Sequence, residues 1–129
     1  MSDNTALIRR VYAALAAGDV QTVLDLFASD IHWVEAEGFP YGGLYIGPEQ
    51  VLENVFAKLG TEWEGFAAVP SEYVAERDMV VAMGTYSGTY KATGKSFKTP
   101  MVHVWRVRDG SIVEFHQHTD TAVVLRSMQ

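Results

Sequence analysis

Met101-Val-His-Val-Trp-Arg-Val-Arg-Asp-Gly-Ser-Ile-Val-Glu-Phe-His-Gln-His-Thr-Asp120 reads as two long strands joined at Asp109-Gly110. The stretch holds three of the four histidines. It offers two sites that exclude one another. One is a pocket around His103 and Gln117. The other is a metal site at His116, His118 and Asp120, since alternate strand residues share a face and two His with a carboxylate suit Fe(II) or Zn(II).

Side-chain alternation decides between them. On the first strand Met101, His103, Trp105 and Val107 oppose Val102, Val104, Arg106 and Arg108. On the second, Ser111, Val113, Phe115, Gln117 and Thr119 oppose Ile112, Glu114, His116, His118 and Asp120. The less charged set belongs inside. That puts His103 and Gln117 in the interior and the other two histidines outside, where no metal is expected. A two-residue type I′ turn at Asp109-Gly110 would pair Arg108 with Ser111 and His103 with His116. A three-residue turn with Gly110 in a bulge satisfies the burial pattern and is the preferred reading. It pairs Val107 with Ser111, sets His103 opposite Phe115 and leaves Gln117 diagonal.

Upstream, Leu7, Ile8, Val11, Tyr12 and Leu15 form a helical stripe from Asp3 to Ala17, ended by Gly18. Asp19 caps a second helix bearing Val20, Val23, Leu24 and Phe27. From Asp30 an extended run to Glu37 places Ile31, Trp33 and Glu35 on one face. Gly38 to Gly47 is a loop rich in glycine and aromatic residues, a lid or a crossing of the sheet's open end. Pro48 opens a third helix with the stripe Val51, Leu52, Val55, Phe56 and Leu59, closed by Gly60. Everything after Gly65 reads as strand: Phe66 to Arg77, Met79 to Lys91, Phe97 to Arg108 and Ser111 to Thr119. Gly84 and Gly88 imply bulges and hence strong curvature.

The expected fold is therefore α+β: a cone-shaped, curved antiparallel sheet wrapped around three N-terminal helices. The wide end of such a cone is a natural small-molecule pocket. At 129 residues one domain spanning 1–129 is expected. A net charge of −6 argues against nucleic acid as a partner. No apolar run approaches the ~18 residues of a membrane span. There is no cysteine and no leader-like N-terminus, which fits a cytoplasmic protein.

Three pieces carry a family resemblance: Ala16-Ala17-Gly18-Asp19, Gly47-Pro48-Glu49, and His103 to Phe115 followed by Thr119-Asp120-Thr121. In this order and spacing the chain resembles the nuclear transport factor 2-like superfamily, in particular its polyketide-cyclase-like (SnoaL-like) branch. The resemblance implies a cystatin-like α+β barrel, a buried pocket and isomerase, cyclase, hydrolase, dehydratase or plain binding functions. Position by position, the general base of ketosteroid isomerase corresponds to Glu35 and its oxyanion-hole Asp to His103. Its oxyanion tyrosine falls near Val11, one residue from Tyr12. The catalytic Asp of the cyclases and of limonene epoxide hydrolase corresponds to Gln117. An amide does not exchange a proton at neutral pH, so Gln117 departs from that pattern. The hydrolase's Arg and second Asp would fall near Met83 to Tyr86 and are missing.

The candidate chemistry follows from residue types. A carboxylate beside Ile31 and Trp33 is desolvated, which lifts its pKa toward general-base range and makes Glu35 the expected base. His103 polarises a carbonyl or donates to a developing enolate oxygen; otherwise it is a core histidine satisfied by a carbonyl or a tyrosine. Gln117 orients the substrate. Trp33, Tyr12, Phe115, Trp105, Tyr45 and Tyr86 shape an apolar pocket. The expected ligand is a small hydrophobic, carbonyl-bearing molecule undergoing isomerisation, cyclisation or dehydration, with no cofactor required. A non-catalytic binder and a structural dimer whose cone is filled by its own aromatics are the alternatives. The outer sheet face, with Val102, Val104 and Ile112, is the expected homodimer surface.

Overall fold

The stripe on the first helix has one apolar side to bury, and it does so against the inside of a sheet. The computed structural model describes residues 3–129. Helix α1 (Asp3–Ala16) carries buried Ile8, Val11 and Tyr12. Gly18, at φ +74°, turns the chain into α2 (Val20–Asp25), where the Asp19 carboxylate accepts from the Thr22 N–H at 3.2 Å. The second helix is shorter than expected: Phe27 already begins β1 (Phe27–Glu35), its ring buried against Trp33.

Part of the glycine-rich loop is a strand. β2 (Gly43–Ile46) pairs antiparallel with β1, Trp33 opposite Tyr45. A continuous right-handed helical run follows: α3 (Pro48–Val51), a π-helical segment (Leu52–Phe56) and α4 (Ala57–Glu62). It passes Gly60 without stopping. Strands β3 (Trp63–Glu76), β4 (Met79–Tyr90), β5 (Ser96–Arg108) and β6 (Ser111–Thr119) complete the sheet. Beyond the last expected strand the chain forms a helix that the sequence reading did not include: α5 (Thr121–Ser127), capped by Asp120 accepting from the Val123 N–H at 3.4 Å.

The six strands lie in the order β2-β1-β6-β5-β4-β3. The α+β class and curved sheet are as expected, but one neighbouring pair, β1 with β6, is parallel. Glycines assist the curvature differently from the expectation. The extra residues lie on β3, where the register shifts between Glu64 and Ala67 and again between Pro70 and Glu72. Gly84 and Gly88 stand opposite these bulges. A Cβ on Gly84 would lie 2.0 Å from the Val69 carbonyl oxygen, so only glycine admits that approach.

The β5–β6 hairpin corrects the expected turn. Asp109 (φ +52°) and Gly110 (φ +76°) form a two-residue turn with Arg108 opposite Ser111, not a three-residue one. One residue later Val107 faces Ile112 and Arg106 faces Glu114, which leaves Val113 as the extra residue of a bulge. The bulge shifts the register by one residue. Near the turn Ile112 is inside, fully buried, while Val113 is not; beyond it Phe115 and Gln117 are inside. His103 therefore faces Gln117 directly. Ile112 leaves the expected outer patch for the core.

Aromatic packing dominates the core. Trp33 stacks on Phe115 with centroids 3.7 Å apart, and Trp105 meets Phe115 edge-on at 4.6 Å. Among the described residues, no helix is long and apolar enough to cross a membrane.

Candidate functional site

A cavity of about 530 Å³ lies between α1, the helical run and the concave face of the sheet. Exposed Ala16, Gly60, Gly65 and Val69 mark its mouth. Its walls are aromatic and aliphatic: Phe39, Val55, Phe56, Leu59, Trp63 and Phe66 join Trp33, Trp105 and Phe115. The polar groups are Tyr12, Glu35, Tyr86, His103 and Gln117, all buried. Among the described residues no lysine or arginine lines it.

These five groups form one hydrogen-bonded chain. Trp105 Nε1–H donates to the Tyr12 hydroxyl at 3.0 Å. The Tyr12 hydroxyl stands 2.5 Å from His103 Nδ1, and the two rings lie nearly parallel, 7° apart. His103 Nε2 meets the Tyr86 hydroxyl. Gln117 Nε2–H₂ donates to Tyr86 at 2.9 Å and approaches Glu35 Oε1 at 3.5 Å. The Gln117 carbonyl accepts from the Ala36 N–H at 3.0 Å, which fixes which way the amide points. Trp33 Nε1–H closes the chain on Glu35 Oε2 at 3.1 Å.

Strand geometry explains why these residues converge. Glu35 ends β1, Gln117 lies near the end of the adjacent parallel strand β6, and His103 is Gln117's cross-strand partner on β5. Tyr86 projects from β4 and Tyr12 descends from α1. The groups come from five elements with no local sequence relation.

Burial sets the electrostatics. Removal of Glu35 from water raises its carboxyl to about 8, against a smaller lowering by the Trp33 hydrogen bond. Burial lowers His103 to about 3, with His118 adding a little, so its imidazole is neutral. Burial also pushes Tyr86 well up, aided by the Glu35 charge, and raises Tyr12 against the Trp105 hydrogen bond.

Eight of the nine sequence-derived residues line this cavity: Glu35, His103, Gln117, Trp33, Tyr12, Phe115, Trp105 and Tyr86. Tyr45 does not. It lies on edge strand β2, and its hydroxyl donates to the Tyr41 carbonyl at 2.7 Å. The direct donor role expected of His103 also needs revision, because both ring nitrogens are occupied by tyrosine hydroxyls. Phe39, Phe56, Trp63 and Phe66 were not anticipated as lining. Phe56 was legible only as part of a helix stripe, and Phe39 carried no signal beyond its loop. That loop crosses the sheet's end, pinned by the Tyr41 hydroxyl donating to Glu62 and accepting from Trp63 Nε1–H at 3.0 Å. His116 lies half-buried and His118 exposed on the outer face, while Asp120 caps α5. Among the described residues no three His, Asp or Glu side chains gather as a metal site.

The family model described as the SnoaL-like domain matches residues 8–115. An NTF2-like protein of Burkholderia thailandensis E264 is 40% identical, superimposes with a TM-score of 0.96, and the match covers 100% of this chain and 99% of that one. A second NTF2-like protein, from Burkholderia pseudomallei K96243, is 30% identical at a TM-score of 0.92, covering 100% and 99% of the two chains. TerC, co-crystallised with polyporic acid, is 27% identical at a TM-score of 0.88, covering 98% of each. No curated protein sequence matches the chain significantly.

Proposed function

This chain belongs to the SnoaL-like domain family, and on that footing we propose that it is an enzyme of proton transfer acting on an apolar, carbonyl-bearing molecule. One observation carries the reading. A buried carboxyl, Glu35, lines a cavity with aromatic and aliphatic walls and is joined through a single amide to a tyrosine hydroxyl, and burial raises its pKa. A perturbed carboxyl with a nearby donor is the equipment that enolisation needs.

In its ionised form Glu35 takes a proton from the carbon next to the substrate carbonyl. The C–H pair becomes a carbon–carbon double bond, and the carbonyl π pair moves onto oxygen. A hydrogen bond from the tyrosine–histidine chain stabilises that oxygen. Glu35 then returns the proton to the same or another carbon. In a β,γ-unsaturated ketone, return to the γ-carbon is isomerisation. In a β-hydroxy ketone Glu35 instead gives the proton to the departing hydroxyl, which leaves as water while the enolate re-forms the carbonyl and an α,β double bond, and this is dehydration. Gln117 holds Glu35 and Tyr86 in register, and the aromatic walls hold the substrate's apolar body. TerC's co-crystallisation with polyporic acid supports a ligand site on this fold.

The test is deuterium exchange at the α-carbon of neutral aromatic ketones such as 2-tetralone, followed by NMR. Wild type should catalyse exchange, and Glu35→Gln should slow it about a hundredfold or more. Equal rates in the two proteins would remove Glu35 from the chemistry. The alternative is a binding module without turnover. The closure of the polar groups upon one another favours it, and ketones that raise Tm without exchanging would support it.

We further propose that the outer sheet face pairs with a second copy of the chain. Cross-strand partners build a row there across all six strands, five aliphatic residues and one histidine: Leu44, Val34, His116, Val104, Val81 and Val74. Leu44 and Val74 at its ends are 54% and 58% exposed. A face of this composition favours a covering partner.

A further inference from the structure

We infer that Tyr86, through its own O–H, is the group that binds the substrate's carbonyl oxygen, with His103 in its Nε2–H form acting as the positioning residue that frees that proton. This deepens the proton-transfer reading above and rests on it for the identity of the ligand.

The inference comes from counting protons. His103 is neutral, so its ring carries one N–H. Tyr12 and Tyr86 bring one O–H each. Two contacts join the three side chains, Tyr12 with Nδ1 and Tyr86 with Nε2. Each contact uses one proton, so three protons serve two contacts. One tyrosine must aim its hydroxyl proton elsewhere, and it is the tyrosine that accepts from the imidazole.

Two arrangements satisfy the count. In one, Trp105 N–H donates to Tyr12, Tyr12 O–H donates to Nδ1, and Nε2–H donates to Tyr86, leaving the Tyr86 proton free. In the other the sequence runs in reverse from Gln117, and the Tyr12 proton is free. The surroundings of the two hydroxyls distinguish them. Tyr86 shares the Gln117 amide with the Glu35 carboxyl, so a proton freed there lies on the side of the cavity that holds a carboxyl oxygen. Tyr12 is tied instead to Trp105 and packs against the Tyr73 ring, with centroids 6.3 Å apart and planes at 64°. A proton freed on Tyr12 would face an indole N–H and an aromatic ring, poor acceptors beside a carboxyl oxygen, which is costly in a buried site. The Nε2–H arrangement therefore prevails, and the free donor stands on the Glu35 side, where a substrate oxygen must lie if Glu35 is to reach its α-carbon. With no lysine or arginine among the described lining residues, that oxygen belongs to a neutral ketone or enone and not to a carboxylate.

Two measurements test this. The first is the ¹H–¹⁵N correlation pattern of His103 in the free, histidine-labelled protein. The second is the carbonyl stretch of bound 2-acetylnaphthalene, ¹³C-labelled at the carbonyl, in wild type, Tyr86→Phe and Tyr12→Phe. An Nε2–H pattern is expected, together with a carbonyl band shifted to lower wavenumber in wild type and Tyr12→Phe and unshifted in Tyr86→Phe. An Nδ1–H pattern, or a shift lost in Tyr12→Phe and kept in Tyr86→Phe, would overturn it. If no ketone binds, the carbonyl reading fails on its own. The histidine spectrum then still decides the donor, because it needs neither ligand nor variant.

Discussion

The Gln117 amide nitrogen approaches the Glu35 carboxyl to 3.5 Å from near the end of the adjacent parallel strand. The same nitrogen lies 2.9 Å from the Tyr86 hydroxyl. An uncharged donor at this place leaves Glu35 without a cation partner, so burial governs its ionisation. Gln117→Glu would put a second carboxyl beside it. That variant should push the Glu35 midpoint further up and slow ketone exchange at pH 7. An unchanged midpoint would show that Gln117 is not coupled to Glu35.

The pH dependence of exchange follows from the Glu35 value of about 8. The base form grows as pH rises, so the rate should climb about tenfold per unit below pH 8 and level off above it. Glu35→Gln should remove this limb. A wild-type rate that levels off near pH 5 would contradict the assignment.

Stability should depend on pH in a way unlike that of proteins held by paired carboxylates. Glu35 rises from 4.5 to about 8 on folding, so the native state holds the extra proton and stability falls as pH rises from 4.5 to 8. His103 falls from 6.5 to about 3, so stability is lost as pH drops from 6.5 to 3. Between 4.5 and 6.5 the two slopes oppose each other. Denaturant melts should show a maximum in that window, and Glu35→Gln should recover a few kcal/mol at pH 8. A wild type more stable at pH 8 than at pH 5.5 would contradict this.

Gly84 is fixed by the bulge it faces. Gly84→Ala forces a Cβ into the Val69 carbonyl oxygen. A loss of roughly 3 kcal/mol is expected in urea melts, since backbone strain of this kind belongs with the large single-residue effects. A loss below about 0.5 kcal/mol, the level of a neutral surface change, would mean that β3 can straighten freely.

On the outer face, Val104→Lys together with Val81→Lys should convert a dimer to a monomer in sedimentation velocity without unfolding it. A wild-type monomer at all concentrations would exclude the pairing.

Much of this was legible in local pattern. The alternation along Met101 to Val107 put His103 inside, and Ile31, Trp33 and Glu35 shared a face as expected. The turn was not legible, because a two-residue turn with a bulge at Val113 and a three-residue turn bring the same residues of the distal strand inward. The two differ at Ile112 and in what faces His103. Helix α5 was missed because Thr121 to Ser127 is short and its β-branched Thr121, Val123 and Val124 weaken the helical signal. The parallel contact of β1 with β6, and the Tyr12–His103 pair 91 residues apart, depend on tertiary arrangement that no local period encodes.

Titration of the Glu35 side-chain carboxyl by ¹³C NMR in the ligand-free protein tests the central claim most directly. The account predicts a midpoint near 8, set by burial in an apolar cavity. A midpoint near the ordinary 4.5 would contradict it, leaving the cavity with a solvated carboxylate and no reason to act as a proton-transfer site.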